Sequence, residues 1–329
     1  MFKYILKRIG ISILILLGVS LLLYTLLRCM PTDFIEQKII ALNTSGADVS
    51  QEFIDQMYEA YGLDGTIIDG YFNWLGNICR LDFGKSFISQ REVLSEIFNA
   101  SRLGTSFLVA AIATIFEFLI AIPLGITAAT HQYSLRDYAV TVLVLIGISL
   151  PSFFFGQMLK DWFALELGWF PVSGIGDPNY TPSNWFEGMI DYIWHMFLPI
   201  LTVVILSIGG RMRSTRTNML EVLNSDYIRT ARAKGLQEGK VIYKHAFRNT
   251  MIPVVTSLAG LIPSLFSGAM ITESVFDLPG IGSYALTAMT QGDIPVIMTY
   301  NMFLAMLSVI GVLLADLMYA VVDPRVKLA

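Results

Sequence analysis

At 329 residues the chain is long enough for two soluble domains, yet it holds only 22 basic and 26 acidic residues and is 54% apolar, with a mean hydropathy of +0.61. A soluble chain of this length would carry roughly 80 charges, so a disordered chain, an exported cysteine-stapled miniprotein and an ordinary cytosolic enzyme are excluded and a polytopic membrane protein is left. The net charge of -4 says little, because the basic residues sit between long apolar runs rather than along the basic stripe of a nucleic-acid-binding fold.

Crossing ~30 Å of hydrocarbon takes about 20 helical residues, and six runs are long enough: Ile9 to Leu27, Leu103 to Thr130, Tyr138 to Leu159, Tyr192 to Gly210, Asn249 to Thr272 and Ile294 to Ala315. They are continuously apolar, without the ten-residue alternation of a membrane β-barrel. The expected fold is therefore all-α. Pro123, Pro151, Pro199, Pro253, Pro263 and Pro295 fall inside these runs and predict kinks, which neighbouring helices make tolerable by satisfying the freed backbone groups.

In chain order, residues 1–30 read as a tail and an uncleaved first span. The run is long for a signal peptide and ends in Leu27-Arg28-Cys29-Met30-Pro31, where cleavage needs small residues. Residues 31–102 form an insertion too long for a simple turn, with Tyr58, Tyr61, Tyr71, Phe72 and Trp74 at spacings that suggest short amphipathic helices. It contains the nearest approach to a phosphate-binding loop, Gly84-Lys85-Ser86, but Cys79 stands where the first glycine belongs. Residues 103–322 form a core of five further spans. Within it, Glu117 is the one charge inside a span and Asp316 sits at the edge of the last; both are candidates for a transport pathway or for helix pairing. Residues 323–329 are a tail.

Two features leave an enzyme open. Ser149 in the third span and His195 in the fourth would serve an intramembrane hydrolase, although Ser149-Leu150-Pro151-Ser152 also reads as a kink whose hydroxyls cover freed carbonyls. Cys29 and Cys79 lie fifty positions apart, and His131, His195 and His245 are scattered, so no metal-ligand spacing is present. A channel would need a charged or carbonyl-lined constriction, and no tandem polar filter is evident.

Orientation follows from Lys and Arg. With the N-terminus inside, the inner segments hold Lys3, Lys7, Arg8, Arg136, nine residues from Arg211 to Arg248, Arg325 and Lys327; outside the long insertion, the outer segments hold only Lys160. That asymmetry places both termini in the cytoplasm.

The inner loop 211–248 carries most of the information. Met219, Leu223, Tyr227 and Ala231 recur every four residues, as on one helix face. Gly235 after Lys234 reads as a helix stop, since glycine takes the left-handed conformation readily. A second helical stretch runs from Gln237 to Phe247. A basic loop that merely sets topology has no need of small alanines and a fixed stop.

The stretch Asp226-Tyr227-Ile228-Arg229-Thr230-Ala231-Arg232-Ala233-Lys234-Gly235-Leu236, followed by His245-Ala246-Phe247-Arg248-Asn249 and Ile252-Pro253, resembles the dipeptide/oligopeptide permease branch of the bacterial ABC importers. The resemblance extends in order through Tyr61-Gly62-Leu63-Asp64, Asp82-Phe83-Gly84, Ile122-Pro123-Leu124-Gly125, Leu167-Gly168-Trp169, Glu273-Ser274-Val275-Phe276, Pro279-Gly280-Ile281-Gly282, Asp293 with Pro295, and Asp323-Pro324-Arg325. Two positions depart from it: Arg229-Thr230-Ala231 stands where the broader importer motif has Glu-Ala-Ala, and Glu117 where a plain apolar residue is expected.

The resemblance implies a type I ABC importer permease in the bacterial inner membrane, forming half of a pathway for peptides. It implies a second homologous permease, two cytoplasmic ATPase subunits and an extracytoplasmic substrate-binding protein as partners, with ATP and magnesium on the ATPases and no cofactor in this chain. Tyr227 to Leu236, with His245 and Arg248, would be the ATPase-coupling segment. Glu273, Phe276, Asp277, Pro279, Gly280, Gly282 and Asp293 would form the binding-protein docking surface or outer gate. The same branch also carries nickel chelates, glutathione-like thiols and oligosaccharides.

Overall fold

The computed structural model describes residues 2–29, 66–177, 180–250 and 260–322. Those residues are overwhelmingly helical. Four helices are long and apolar enough to cross a membrane, Leu6–Leu26, Val93–Thr130, Trp185–Leu223 and Ile294–Asp316, and a sharply bent pair, Leu135–Ser149 with Ser152–Glu166, makes a fifth span if counted as one. Helices dominate because a bilayer offers no hydrogen-bond partners, and only a helix pairs its backbone groups within one segment.

The chain divides into two compact units, one of Met1–Ala100 with Ala285–Val309 and one of Ser101–Tyr284 with Ile310–Lys327. In the first, α1 (Phe2–Cys29) carries Ser20 and Tyr24, and α2 (Ile67–Cys79) packs against them. Thr66 caps α2, its Oγ1 accepting from the Asp69 amide at 3.2 Å. Tyr71 and Trp74 are buried against Tyr24, with Tyr24 and Trp74 ring centroids 5.6 Å apart, and Tyr71 Oη and Ser20 Oγ are hydrogen-bonded at 2.9 Å. Phe72, on the opposite side of α2, is exposed. A short α3 (Val93–Ile97) follows. Cys29 and Cys79 are both free thiols.

The second unit is built on α4 (Ala100–Thr130), α5 (Leu135–Ser149), α6 (Ser152–Leu159, continuing as a π-helical turn over Lys160–Glu166) and the 39-residue α7 (Trp185–Leu223). Pro151 separates α5 from α6, since proline cannot donate its amide and disfavours helix at the residue before it. Ser149 Oγ donates to the Leu145 carbonyl at 2.7 Å. Pro123 and Pro199, by contrast, lie within unbroken helices.

α7 does not stop at Gly210, where the sequence reading closed the span and opened the loop. It runs thirteen residues further, to Leu223, because 211–223 contains good helix formers and no proline or glycine. The expected single face of Met219, Leu223, Tyr227 and Ala231 is also corrected. The chain turns at Asn224-Ser225 before α8 (Asp226–Ala233), and the turn shifts the register, so that Ile228 and Ala231 face inward and Tyr227 outward.

α9 (Glu238–Lys240) leads into a π-helical turn over Val241–Ala246. Residues 251–259 of the fifth expected span, Asn249 to Thr272, lie outside the described ones. Its described remainder is two short helices, α10 (Leu261–Ser267) and α11 (Met270–Val275), separated at Gly268, which has φ of +70°. α12 (Ile281–Gln291) and α13 (Ile294–Val322) complete the described residues. Tyr61 to Asp64, Ile252-Pro253 and Asp323 to Arg325 also lie outside the described residues.

Candidate functional site

Two constellations gather the residues singled out by the sequence, both within the second unit, and Asp293 forms a third point in the first unit.

The inner constellation begins where α7 ends. Asn224 Nδ2 donates to the Leu220 carbonyl at 2.9 Å and Ser225 Oγ to the Val222 carbonyl at 2.6 Å, covering carbonyls that the helix end leaves open. α8 then lies with Ile228 and Ala231 buried against Met219, Val241 and Ala246, and against Ile126 and Ala129 of α4. Its other face presents Tyr227, Arg229, Thr230, Arg232, Ala233 and Lys234 to solvent. The helix stops at Gly235, whose φ of +75° is the left-handed conformation and whose amide donates to the Arg232 carbonyl at 2.9 Å. Leu236 and Arg248 are exposed and His245 is half-buried.

Arg232 ties α8 to α9. Its Nη2 lies 2.6 Å from Glu238 Oε1, and Nε donates to both carboxylate oxygens at 3.2 Å. The guanidinium beside it holds the Glu238 carboxyl below its ordinary pKa and the carboxylate raises that of Arg232. Such forked contacts fix an angle better than a single-point ammonium would. The result is a short helix with a basic face exposed and its other face packed on the end of α7.

The outer constellation centres on Glu273, which is fully buried. Its Oε1 accepts from Ser106 Oγ of α4 at 2.7 Å and from the Ala269 amide at 3.2 Å, and Oε2 accepts from the Ser283 amide at 2.9 Å. Ser106 Oγ in turn accepts from the Ile281 amide at 2.9 Å. Gly268, Gly280 and Gly282 wall the carboxylate: a Cβ on Gly268 would come 2.5 Å from Oε1 and one on Gly282 2.9 Å from Oε2, while one on Gly280 would overlap Oε2. Every donor is a backbone amide or a hydroxyl, so the cage satisfies the buried carboxylate without a cation.

This cage fixes the loop that follows. The Leu278 amide donates to the Glu273 carbonyl at 2.8 Å, the Gly174 amide to the Phe276 carbonyl at 3.0 Å, and Lys160 Nζ to the Val275 carbonyl at 2.9 Å. Phe276 and Leu278 are buried among Val109, Met196 and Leu198. Asp277 between them, with φ of +51°, and Pro279 after them face outward. Of the seven residues assigned to an outer surface, only Asp277 and Pro279 are exposed; Glu273, Phe276, Gly280, Gly282 and Asp293 are buried. In the first unit, Asp293 accepts from Ser86 Oγ and from the Phe87 amide at 3.0 Å, which engages the serine of Gly84-Lys85-Ser86.

Glu117 does not stand alone: Arg211 Nε donates to its Oε1 at 2.9 Å. Asp316 is half-buried on α13. The residues of the hydrolase alternative are engaged locally, Ser149 with its own helix and His195 Nδ1 with the Asp191 carbonyl at 2.8 Å. Ser106, Gly268 and the ion pair of Asp137 with Arg216 carried no signal in the sequence, because a serine in an apolar run and a charge at a helix start look the same whatever they meet.

Comparison with known proteins places this architecture. Residues 121–328 match the model of the family described as binding-protein-dependent transport system inner membrane component, and residues 1–113 match the N-terminal model of the same systems. The chain is 38% identical over 327 residues to the oligopeptide transport system permease protein AppB of Bacillus subtilis, covering 99% of this chain and all of the relative. It is 36% identical over 330 residues to a putative peptide permease protein of Brucella ovis, covering 99% of each chain, and 32% identical over 340 residues to the dipeptide transport system permease protein DppB of Alkalihalophilus pseudofirmus, covering 99% of this chain and all of the relative. With both of its parts matched and relatives aligned end to end, the chain belongs to the family of inner-membrane components of binding-protein-dependent transport systems, the multi-pass permease subunits of ABC importers.

Proposed function

We propose that this permease forms half of the translocation pathway of a peptide importer, paired with a second related permease, two cytoplasmic ATPases that bind ATP and magnesium, and an extracytoplasmic peptide-binding protein. The peptide assignment draws on the oligopeptide and dipeptide transport of relatives that match over their whole length. Both termini are cytoplasmic in this reading, from the asymmetry of Lys and Arg. A cysteine placed at Tyr180 then reacts with an impermeant reagent in sealed cells lacking Cys29 and Cys79, and one at Glu238 does not; labelling of Glu238 would reverse the topology.

The observation that carries the proposal is the exposed face of α8, formed by Tyr227, Arg229, Thr230, Arg232, Ala233 and Lys234; in this reading it seats in a groove of the ATPase. Buried Ile228 and Ala231 pass the motion into the membrane core, and Gly235 sets the angle of return. On the outer side, Asp277 and Pro279 meet the binding protein, and Glu273, Phe276, Gly280 and Gly282 hold them in place. The test is co-purification of the ATPases followed by reconstituted peptide uptake, with Arg229→Glu/Arg232→Glu as the variant. Uptake and ATPase retention should both fall. Undiminished uptake with a full complement of ATPase would sink the docking role, and a ligand screen on the cognate binding protein decides peptide against chelate, thiol or oligosaccharide.

A further inference from the structure

α7 is 39 residues long, about 58 Å at 1.5 Å per residue, which is nearly twice what a bilayer requires. Its inner half carries Arg211, Arg213 and Arg216, and the first and last of these, five positions apart, are each paired with an acid on a different helix. Arg211 meets Glu117 of α4 at 2.9 Å, with its guanidinium carbon 4.4 Å from the centroid of the Phe118 ring. Arg216 makes a two-pronged contact with Asp137 of α5, Nε to Oδ1 at 3.0 Å and Nη2 to Oδ2 at 2.8 Å. Asp137 is also tied to its own turn, accepting from the Tyr133 amide at 3.0 Å.

Elsewhere along their length α4 and α5 each also approach α7 closely at a glycine. A Cβ on Gly125 of α4 would lie 2.7 Å from Thr215 Cβ and 2.9 Å from the Met212 carbonyl of α7. A Cβ on Gly209 of α7 would overlap the Ile148 side chain of α5. α4 and α5 therefore each grip α7 by one close backbone contact and one ion pair. Stability alone does not explain the charges, because well-packed apolar residues serve at least as well as a buried ion pair. What the pairs add is register: sliding α7 by one turn, about 5.4 Å, would part Arg216 from Asp137 and Arg211 from Glu117 and drive Thr215 off Gly125.

The same block reaches α8. Met219, one turn beyond Thr215, is fully buried and packs with Ile228 and Ala231 of α8 and with Ile126 and Ala129 of α4. We infer that the Glu117–Arg211 and Asp137–Arg216 pairs clamp α4, α5 and α7 into one rigid block with α8, and are the positioning residues through which movement of α8 reaches the membrane interior. The inference rests on the reading of α8 as the ATPase contact. It gives Glu117, the charge that the family resemblance left without a role, a place in energy coupling rather than in substrate contact. Force crosses between sites through packed elements with discrete arrangements, and a double clamp supplies such an element.

The test uses the assembled complex in proteoliposomes, measuring uptake of a tritiated di- and tripeptide mixture per ATP hydrolysed. Glu117→Leu/Arg211→Leu and Asp137→Asn/Arg216→Gln remove each pair without leaving an unpaired buried charge. Both should retain ATPase subunits and ATP hydrolysis while transport per ATP falls about fivefold or more. The exchanged pair Glu117→Arg/Arg211→Glu should recover part of the loss, and Arg216→Lys, which keeps the charge but loses the fork, should fall in between; neither depends on the double variants assembling. Wild-type transport per ATP in these variants, with Gly235→Val still uncoupled, would overturn the clamp and leave the α8 reading standing. Wild-type coupling in Gly235→Val as well would overturn both.

Discussion

The inner and outer constellations both depend on glycine, for opposite reasons. At Gly235 a Cβ would meet nothing within 4 Å, and the demand is purely conformational, a φ of +75° that ends α8. At Gly280 the demand is steric, since any Cβ would occupy the space of the Glu273 carboxylate. The inner stop therefore tolerates a residue that accepts the left-handed conformation, whereas the outer wall tolerates no side chain. One helix end is exposed, as the proposed partner contact requires; the other turn is closed tightly enough to bury the Glu273 side chain.

The largest expected effect tests the steric half. Gly280→Ala should destabilise the complex by about 1–3 kcal/mol through overpacking, read as a lowered thermal midpoint in detergent. Gly239→Ala, where a Cβ meets open space, should leave it unchanged or slightly raised. Equal midpoints for the two variants would break the comparison. Ser106→Ala comes next, since it removes a donor to Glu273 and the acceptor of the Ile281 amide together, leaving buried groups unsatisfied at about 1–3 kcal/mol. Transport with the binding protein should weaken in that variant while ATPase co-purification is kept.

Gly235 sharpens the conformational half. Gly235→Val should cost ~1 kcal/mol or more, because a β-branched residue resists positive φ, and Gly235→Asn clearly less. Reconstituted uptake should follow that order, and equal losses in both would mean that the residue's size, not its backbone, is what the partner reads. Enlarging Ala231 would not test docking, as Ala231 is buried in this chain's own core and a bulky residue there would disturb folding first.

The smallest effect concerns the fastening of α8 to α9. Because Arg232 lowers the Glu238 pKa, the pair's contribution is present above the ordinary carboxylate pKa and is lost as pH falls through the lowered value. Both side chains are about half exposed, so the contribution is below ~1 kcal/mol and is screened by salt. Arg232→Gln should flatten that acid-side dependence of the thermal midpoint at low salt. An unchanged pH profile would remove the pair from the description of how α8 is fastened to α9.

Much was legible from the chain alone, and for local reasons. An apolar run of twenty residues has few structures open to it in a bilayer, so helices and spans followed from composition. The stop at Gly235 was legible because a helix end is decided by the few residues around it. Periodicity misled at Tyr227 for the same reason: a four-residue repeat assumes one continuous helix, and the two-residue turn at Asn224-Ser225 rotated everything beyond it. The helix continues past Gly210, where the uncharged run ended, and its first arginine meets a carboxylate on α4 that the sequence does not announce.

What tertiary structure alone decided is the state of each charge. Glu273 and Asp277 stand four positions apart in one stretch, yet one is caged and the other exposed, and nothing in their immediate sequence separates them. The decision lies with Ser106, 167 positions from Glu273, as the fate of Glu117 lies with Arg211, 94 positions away, and that of Asp137 with Arg216, 79 positions away. A side chain's own chemistry sets what it costs to bury; only the fold brings the partner that makes burial affordable.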